Sequence, residues 1–505
     1  MAIQFQWIIL AFVLYLGMMV LIGFRDMKKN SSSDDYFLGG RSLNGFVAAL
    51  SAQASDMSGW LLMGLPGSIY ALGTGQIWIA VGLFIGTVLN WLLISTRLRR
   101  YTIELDAITL PRYFENRFHD KKKLLLAISS AAILIFFLVY TASALAAGGK
   151  LFNTVFGMDY HIALTVGAVV ILIYTLLGGF SAVCDTDSVQ GTVMFIGLVA
   201  VPLIALGFIP DFHGALAERV PNADTFLNPM FDNGTQISFI SIISQLAWGL
   251  GYCGMPHILV RFMAVKDDKE LNKAKTIGIT WVAISLLFAC LIGIVGRTYL
   301  PQDLTQTGEE EKVFMLTIIK LFTENIPVPL IGGVFLCGIL AAIMSTADSQ
   351  LLVTASAVTE DLWQGFLGKR QSDEKAVWMS RVVVLVVAAI AYMIAWNPDS
   401  SIMALVSDAW AGLGASFGPA VLMSLYWRRT NAAGTGAGIA VGTLTVLFWD
   451  YIPAFNGQTA GAATGIYSLL VGFFLSILAI FLVSLVTPAP DADMLKRFDR
   501  VNANK

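Results

Sequence analysis

Asp56 lies inside an apolar stretch long enough to cross a membrane, within Ser55-Asp56-Met57-Ser58-Gly59-Trp60. A carboxylate near a bilayer midplane costs several kcal/mol, so such a group marks a functional site by default. Gly59 and the neighbouring serines predict a helix interrupted at that point. An interruption frees backbone carbonyls and amides inside a cavity, where they can hold a cation and a small polar solute. A second oxygen-rich cluster lies further on, with Ser345, Thr346, Asp348 and Ser349 in the middle of a long apolar segment. A hard cation takes several oxygen ligands, and adjacent hydroxyls with carbonyls from a broken partner helix supply them. The same hydroxyls also serve to tie membrane helices together or to bond back into their own helix. An interrupted second span facing them favours the ion site.

The elements that must position these groups are membrane helices. The 505-residue chain is 56% hydrophobic and 13% charged, with mean hydropathy +0.72; soluble domains carry about 25% charged residues. Thirteen apolar runs of spanning length lie near 5–24, 44–71, 75–96, 124–147, 161–180, 189–209, 238–258, 275–298, 327–357, 376–396, 401–426, 432–452 and 464–487. The first has no basic leader and no small-residue cleavage pattern, so it reads as a retained span. The segment 309–322 reads as a short amphipathic helix outside the membrane. With the N-terminus outside, the cytoplasmic connections hold 27 of the 32 Lys and Arg residues. That asymmetry predicts an N-out, C-in inner-membrane protein.

The second and seventh spans share an irregularity. The second carries Ser55 to Gly59, then Gly64, Pro66 and Gly67; the seventh carries Trp248-Gly249-Leu250-Gly251-Tyr252-Cys253-Gly254-Met255-Pro256-His257. They are five spans apart and cross in opposite directions. Paired interruptions of this kind predict an all-α polytopic fold of about 13 helices, with a five-plus-five inverted-repeat core and two broken helices. The predicted division is 1–43 peripheral, 44–209 first repeat, 210–426 second repeat, and 427–505 peripheral spans and tail.

The stretch from Ala49 to Gly67, with Phe37-Leu38-Gly39-Gly40-Arg41-Ser42, Gly178-Gly179-Phe180-Ser181-Ala182, Trp248 to His257 and Ala341 to Thr346, resembles the sodium/solute symporter family, and within it the proline branch. The resemblance covers nearly the whole chain. It implies import of L-proline with Na⁺ by alternating access; a different amino acid or organic acid and, further off, a transporter-like sensor are the alternatives. It implies a sodium site built from the carbonyls of Ala54, Met57 and Ala342 and the hydroxyls of Ser345 and Thr346, with Asp56 needed for sodium coupling. It implies proline contacts at Trp60, Tyr140, Trp248 and Tyr252, with backbone groups near Ser58 and Gly59. Aromatic faces suit a zwitterion with an apolar ring and an ammonium group, and a half-helix N-terminus suits its carboxylate. Trp248 and Tyr252 also stand out by bracketing Gly249 and Gly251.

Some relatives hold a second sodium at positions matching Asp187, Asp348 and Ser349, with Ser345 adjoining. Here the carboxylate of Asp348 departs from the family's hydroxyl. Arg41 reads either as a cytoplasmic gate residue that pairs with an acid or as a positive-inside anchor, and Arg261 with His257 invites the same two readings. The basic run 97–123 reads as a topology and lipid-headgroup feature, not a nucleic-acid patch. The four cysteines have no metal-ligand spacing and read as buried apolar residues. No catalytic constellation and no obligate protein partner is evident, so an enzyme is not expected.

Overall fold

The computed structural model describes residues 2–27, 37–177, 179–369, 372–453 and 456–503. Gly178 of the family motif therefore lies outside the described residues. Each anticipated apolar run falls on a helix or on a pair of helices in line. Among the described residues nine helical stretches are long and apolar enough to cross a membrane, from Phe5–Gly23 to Ser468–Val486; Trp60–Leu72, Tyr160–Ile173 and Phe239–Gly254 are shorter. The outer faces remain apolar, as at Leu21 (71% exposed) and Val486 (84%), where lipid replaces water. The extramembrane element expected near 309–322 is the helix Val313–Lys320. The 210–237 connection carries the helix Phe212–Arg219 and a two-stranded antiparallel ribbon pairing Phe231 with Gln236.

The second span starts as the helix Gly45–Asp56, capped by Asn44, whose side chain accepts from the Val47 amide. The ladder fails at Met57 (φ −83°, ψ 80°). The Met57 amide still reaches Gln53, but the Ser58 amide turns to the Asp56 carbonyl at 3.0 Å, so the Ala54 carbonyl loses its helical donor. The chain resumes through a wide turn, Trp60–Gly64, into Leu65–Leu72, where Pro66 sits in the first turn and costs no hydrogen bond.

The seventh span breaks differently. Phe239–Leu246 tightens into a 3₁₀ stretch, Ala247–Gly254, before Met255 extends (φ −85°, ψ 102°) and Pro256–Ala264 restarts the helix. Its glycines allow backbones to touch. A Cβ on Gly249 would lie 2.1 Å from the Gly82 carbonyl oxygen, and one on Gly251 would lie 2.0 Å from Trp410 Nε1. The first half of the second span packs on Phe180–Leu206, Asp268–Tyr299 and Pro329–Ser356, so Asp56 and its neighbours are fully enclosed.

Gly251→Ala should force Trp410 off the seventh span and cost about 1–3 kcal/mol by overpacking. A thermal-unfolding midpoint in detergent equal to that of the parent protein would contradict this packing.

Candidate functional site

The ninth-span hydroxyls meet the freed carbonyl. Ser345 Oγ donates to the Ala54 carbonyl at 2.8 Å and lies 3.2 Å from the Ala342 carbonyl; Thr346 Oγ1 stands 3.4 Å and 3.1 Å from the same two. Two carbonyls and two hydroxyls thus converge within hydrogen-bond distance, all in residues no more than 1% exposed. Hydroxyls rotate and keep two lone pairs each, so they can release a carbonyl and turn their oxygens to a cation. The set fits a small hard cation. Met57, the fifth expected ligand, forms the break itself, and neither hydroxyl's described bonds reach its carbonyl.

Asp56 does not touch this oxygen set by any described bond. Its Oδ2 accepts from the Tyr252 hydroxyl at 2.6 Å, which joins the two broken spans directly. At 2.6 Å this bond is at the short end of the O–H···O range. The Asp56 carbonyl accepts from Trp60 Nε1 at 2.9 Å, folding the indole back over the break. Tyr140 stands beside Asp56, Ser58 and Trp60. Its hydroxyl and Asp56 Oδ1 are both buried without hydrogen-bond partners. Unsatisfied polar groups in an enclosed site are costly, and a polar solute would satisfy them. Gly59 lines the same break, where a Cβ would come within 2.9 Å of the Ala147 Cβ.

Trp248 and Tyr252 belong to an aromatic chamber that also contains Trp410 and Tyr467. Trp410 Nε1 donates to the Trp248 carbonyl at 2.8 Å, and the Tyr252 ring meets Trp410 edge-on at 5.0 Å. Tyr467 stacks on Trp248 at 5.2 Å. Neither Trp410 nor Tyr467 stands out in the sequence. Trp410 carries only the weak signal of Gly412 and Gly414 nearby, and Tyr467 enters from the connection before Ser468–Val486.

The positions considered for a second cation surround an arginine. Arg261 donates to Ser51 Oγ (3.1 Å), the His257 carbonyl (2.7 Å), Asp187 Oδ2 (3.2 Å) and Ser349 Oγ (2.6 Å). Asp187 also accepts from Ser51 at 2.6 Å, and Ser349 Oγ lies 3.4 Å from Asp348 Oδ1. The ion pair is fully buried (1% and 0% side-chain exposure). In this arrangement the guanidinium supplies the positive charge that a second metal ion would bring. His257, whose backbone holds Arg261, packs its ring on Phe137 and Tyr140.

Arg41 ties one end of the helix bundle together. Its guanidinium donates to the carbonyls of Met263 (2.9 Å), Ala107 (2.8 Å) and Thr102 (3.2 Å) and to Thr102 Oγ1 (3.3 Å). Beside it, Leu43 pairs in parallel with the chain leaving the seventh span: its amide donates to the Ala264 carbonyl and its carbonyl accepts from Lys266. The described bonds of Arg41 thus join the start of the second span to the end of the seventh and to the 97–123 connection.

The profile of the sodium:solute symporter family matches residues 36–442. The chain belongs to this family. Within the sodium:solute symporters it is similar to the osmoregulated proline transporter OpuE of Bacillus subtilis, 46% identical over 490 residues, covering 96% of this chain and 95% of the relative. It is 42% identical to the sodium/proline symporter of Escherichia coli over 505 residues, covering 98% and 96%. In fold it matches a Na⁺-coupled sialic acid symporter solved substrate-bound and outward-open, with TM-score 0.77 at 19% identity over 96% of this chain and 99% of that one. A closed form of Mhp1, a nucleobase-cation-symport transporter, gives TM-score 0.52 at 14% identity, covering 94% and 99%. The architecture is thus the inverted-repeat membrane transporter core with two broken helices, and Na⁺ is the coupled ion.

Tyr252→Phe removes the described partner of Asp56 Oδ2 and should cost about 1–3 kcal/mol where that oxygen is left unsatisfied. The expected outcome is a higher sodium half-saturation together with a lower unfolding midpoint; normal values of both would remove this bond from the site.

Proposed function

We propose that this sodium:solute symporter imports L-proline, one solute moving with Na⁺ by alternating access. The observation that carries the reading is the meeting of the freed Ala54 carbonyl with Ser345 and Thr346, one turn from a carboxylate held by Tyr252. Sodium engages Ala54, Met57, Ala342, Ser345 and Thr346 and steadies the broken second span. That places Asp56, Ser58, Gly59 and Trp60 for a solute enclosed by Tyr140, Trp248 and Tyr252. The ion thereby favours the solute-competent state, which is what coupling requires. A compact zwitterion with an apolar ring suits the chamber: the aromatic faces attract its ammonium group and pack on its ring. The relatives named as proline transporters support that choice of solute.

In this reading the N-terminus is outside and the C-terminus cytoplasmic, 44–209 and 210–426 are the repeats that rock against each other, and the protein performs no covalent turnover. Arg41 serves the cytoplasmic closure, and the Arg261–Asp187 pair lies beneath the ion site as part of the same closure. The driving force suffices: one charge crossing about 100 mV supplies roughly 2.3 kcal/mol. A tenfold sodium gradient adds about 1.4 kcal/mol, which together support accumulation of roughly several hundredfold.

Purified protein in liposomes should take up radiolabelled proline only with an inward sodium gradient, and excess unlabelled proline should compete better than other amino acids. Uptake indifferent to sodium would overturn the mechanism. Asp56→Ala should abolish sodium stimulation and Ser345→Ala should weaken it; normal sodium dependence in both variants would reject the site.

A further inference from the structure

On the side of the 210–237 connection a cavity of about 390 Å³ opens between the ends of several spans. Three carboxylates line it: Asp232 from the β-ribbon, Asp408 from Ile402–Tyr426 and Asp450 from Ala432–Tyr451. No Lys or Arg is among its described lining residues. Asp408 Oδ2 accepts from the Tyr451 hydroxyl at 2.6 Å, and Asp232 Oδ2 accepts from Gln76 at 2.8 Å. Those bonds leave further oxygens uncommitted. Asp232 Oδ1 is buried without a partner. So is Oε1 of Gln245, a lining residue only 9% exposed. The Ser468 hydroxyl, 1% exposed, stands beside Asp450. Every one of these free groups is a hard oxygen donor, which is the ligand type alkali cations prefer.

The cavity's position gives it a use. Its wall includes Trp248 and Tyr467, the stacked pair that roofs the aromatic chamber. Below that roof, Tyr252 reaches Asp56. A cation held in the cavity is therefore linked to the enclosed site through a series of ring contacts, Trp248 to Trp410 to Tyr252.

We propose that this acidic cavity is a loading site for a monovalent alkali cation, distinct from the set at Ala54, Ala342, Ser345 and Thr346. The proposal rests on the reading of the chain as a sodium-coupled importer with this face outside. A cleft of one charge sign with low-dielectric walls raises the local concentration of counter-ions by about tenfold or more. A zwitterion carries no net charge and gains no such enrichment, so the field concentrates the cation ahead of the solute.

Equilibrium binding of radiolabelled sodium to purified protein tests this, without proline and at constant ionic strength held with choline chloride. The parent protein should show a tighter and a weaker phase. Asp408→Asn combined with Asp450→Asn should remove the weaker phase alone, whereas Ser345→Ala should remove the tighter phase alone. In liposomes the double variant should raise the external sodium half-saturation about tenfold and leave the internal sodium dependence of efflux unchanged. Gln245→Met, which keeps volume and removes the amide oxygen, should shift the weaker phase in the same direction by less, and it decides the matter if the double variant does not fold. A single phase in the parent protein, or a weaker phase untouched by these changes, overturns the loading site. A tighter phase that survives Ser345→Ala would instead sink the enclosed sodium site and leave this proposal standing.

Discussion

One backbone carbonyl, that of Ala54, has lost its helical donor in a fully enclosed part of the protein. An unsatisfied buried polar group costs about 1–3 kcal/mol, so the break in the second span persists only because other elements answer it. Ser345 and Thr346 do so from the ninth span, and their bonds tie the two spans together. A cation engaging the carbonyl must displace those hydroxyl protons and recruit the hydroxyl oxygens. In the proposed reading, ion binding exchanges one link between these two helices for another. The adjoining turn carries Asp56 and Trp60, whose indole bonds the Asp56 carbonyl, so that exchange would also bear on the shape of the proposed solute site.

The two buried acids near this point are stabilised in opposite ways. Asp56 faces a neutral phenol and keeps one oxygen without a partner, which leaves it responsive to whatever enters. Asp187 faces a guanidinium that is itself bonded to Ser51, Ser349 and the His257 carbonyl. Removing either member of a buried, well-bonded pair strands a charge at a cost of several kcal/mol. The first acid keeps an open valence; the second belongs to a charge-paired junction of the second, sixth, seventh and ninth spans.

The break at Met57 and Ser58 was legible in the sequence because its cause is local: small residues and a carboxylate inside an apolar run announce it. The hydroxyl pair in the ninth span was legible for the same reason. Trp410 and Tyr467 were not, because an aromatic residue in a membrane span carries no mark of the chamber it enters; only the packing of distant spans puts them against Trp248. The region before Ser468 was expected to be peripheral, yet it supplies Tyr467 to the chamber roof. The seventh span's many glycines predicted an interruption but not its form. They allow a tightened 3₁₀ stretch because a facing backbone and the Trp410 ring occupy the space side chains would need. Arg261 read as a gate or an anchor; that it bonds Asp187 and Ser349, two of the positions considered for a second cation, follows from contacts with residues 74 and 88 positions away.

The contact between Gly82, Gly86 and Gly249 joins two spans through main-chain atoms alone. Interdigitated side chains must change rotamer, or jump a whole notch, when one helix slides past another. A bare seam has no teeth. At these three positions it presents no side chain to interlock, so there the third and seventh spans meet without one having to turn aside for the other. That makes the seam a bearing surface, and it lies on the same 3₁₀ stretch that carries Trp248 and Tyr252.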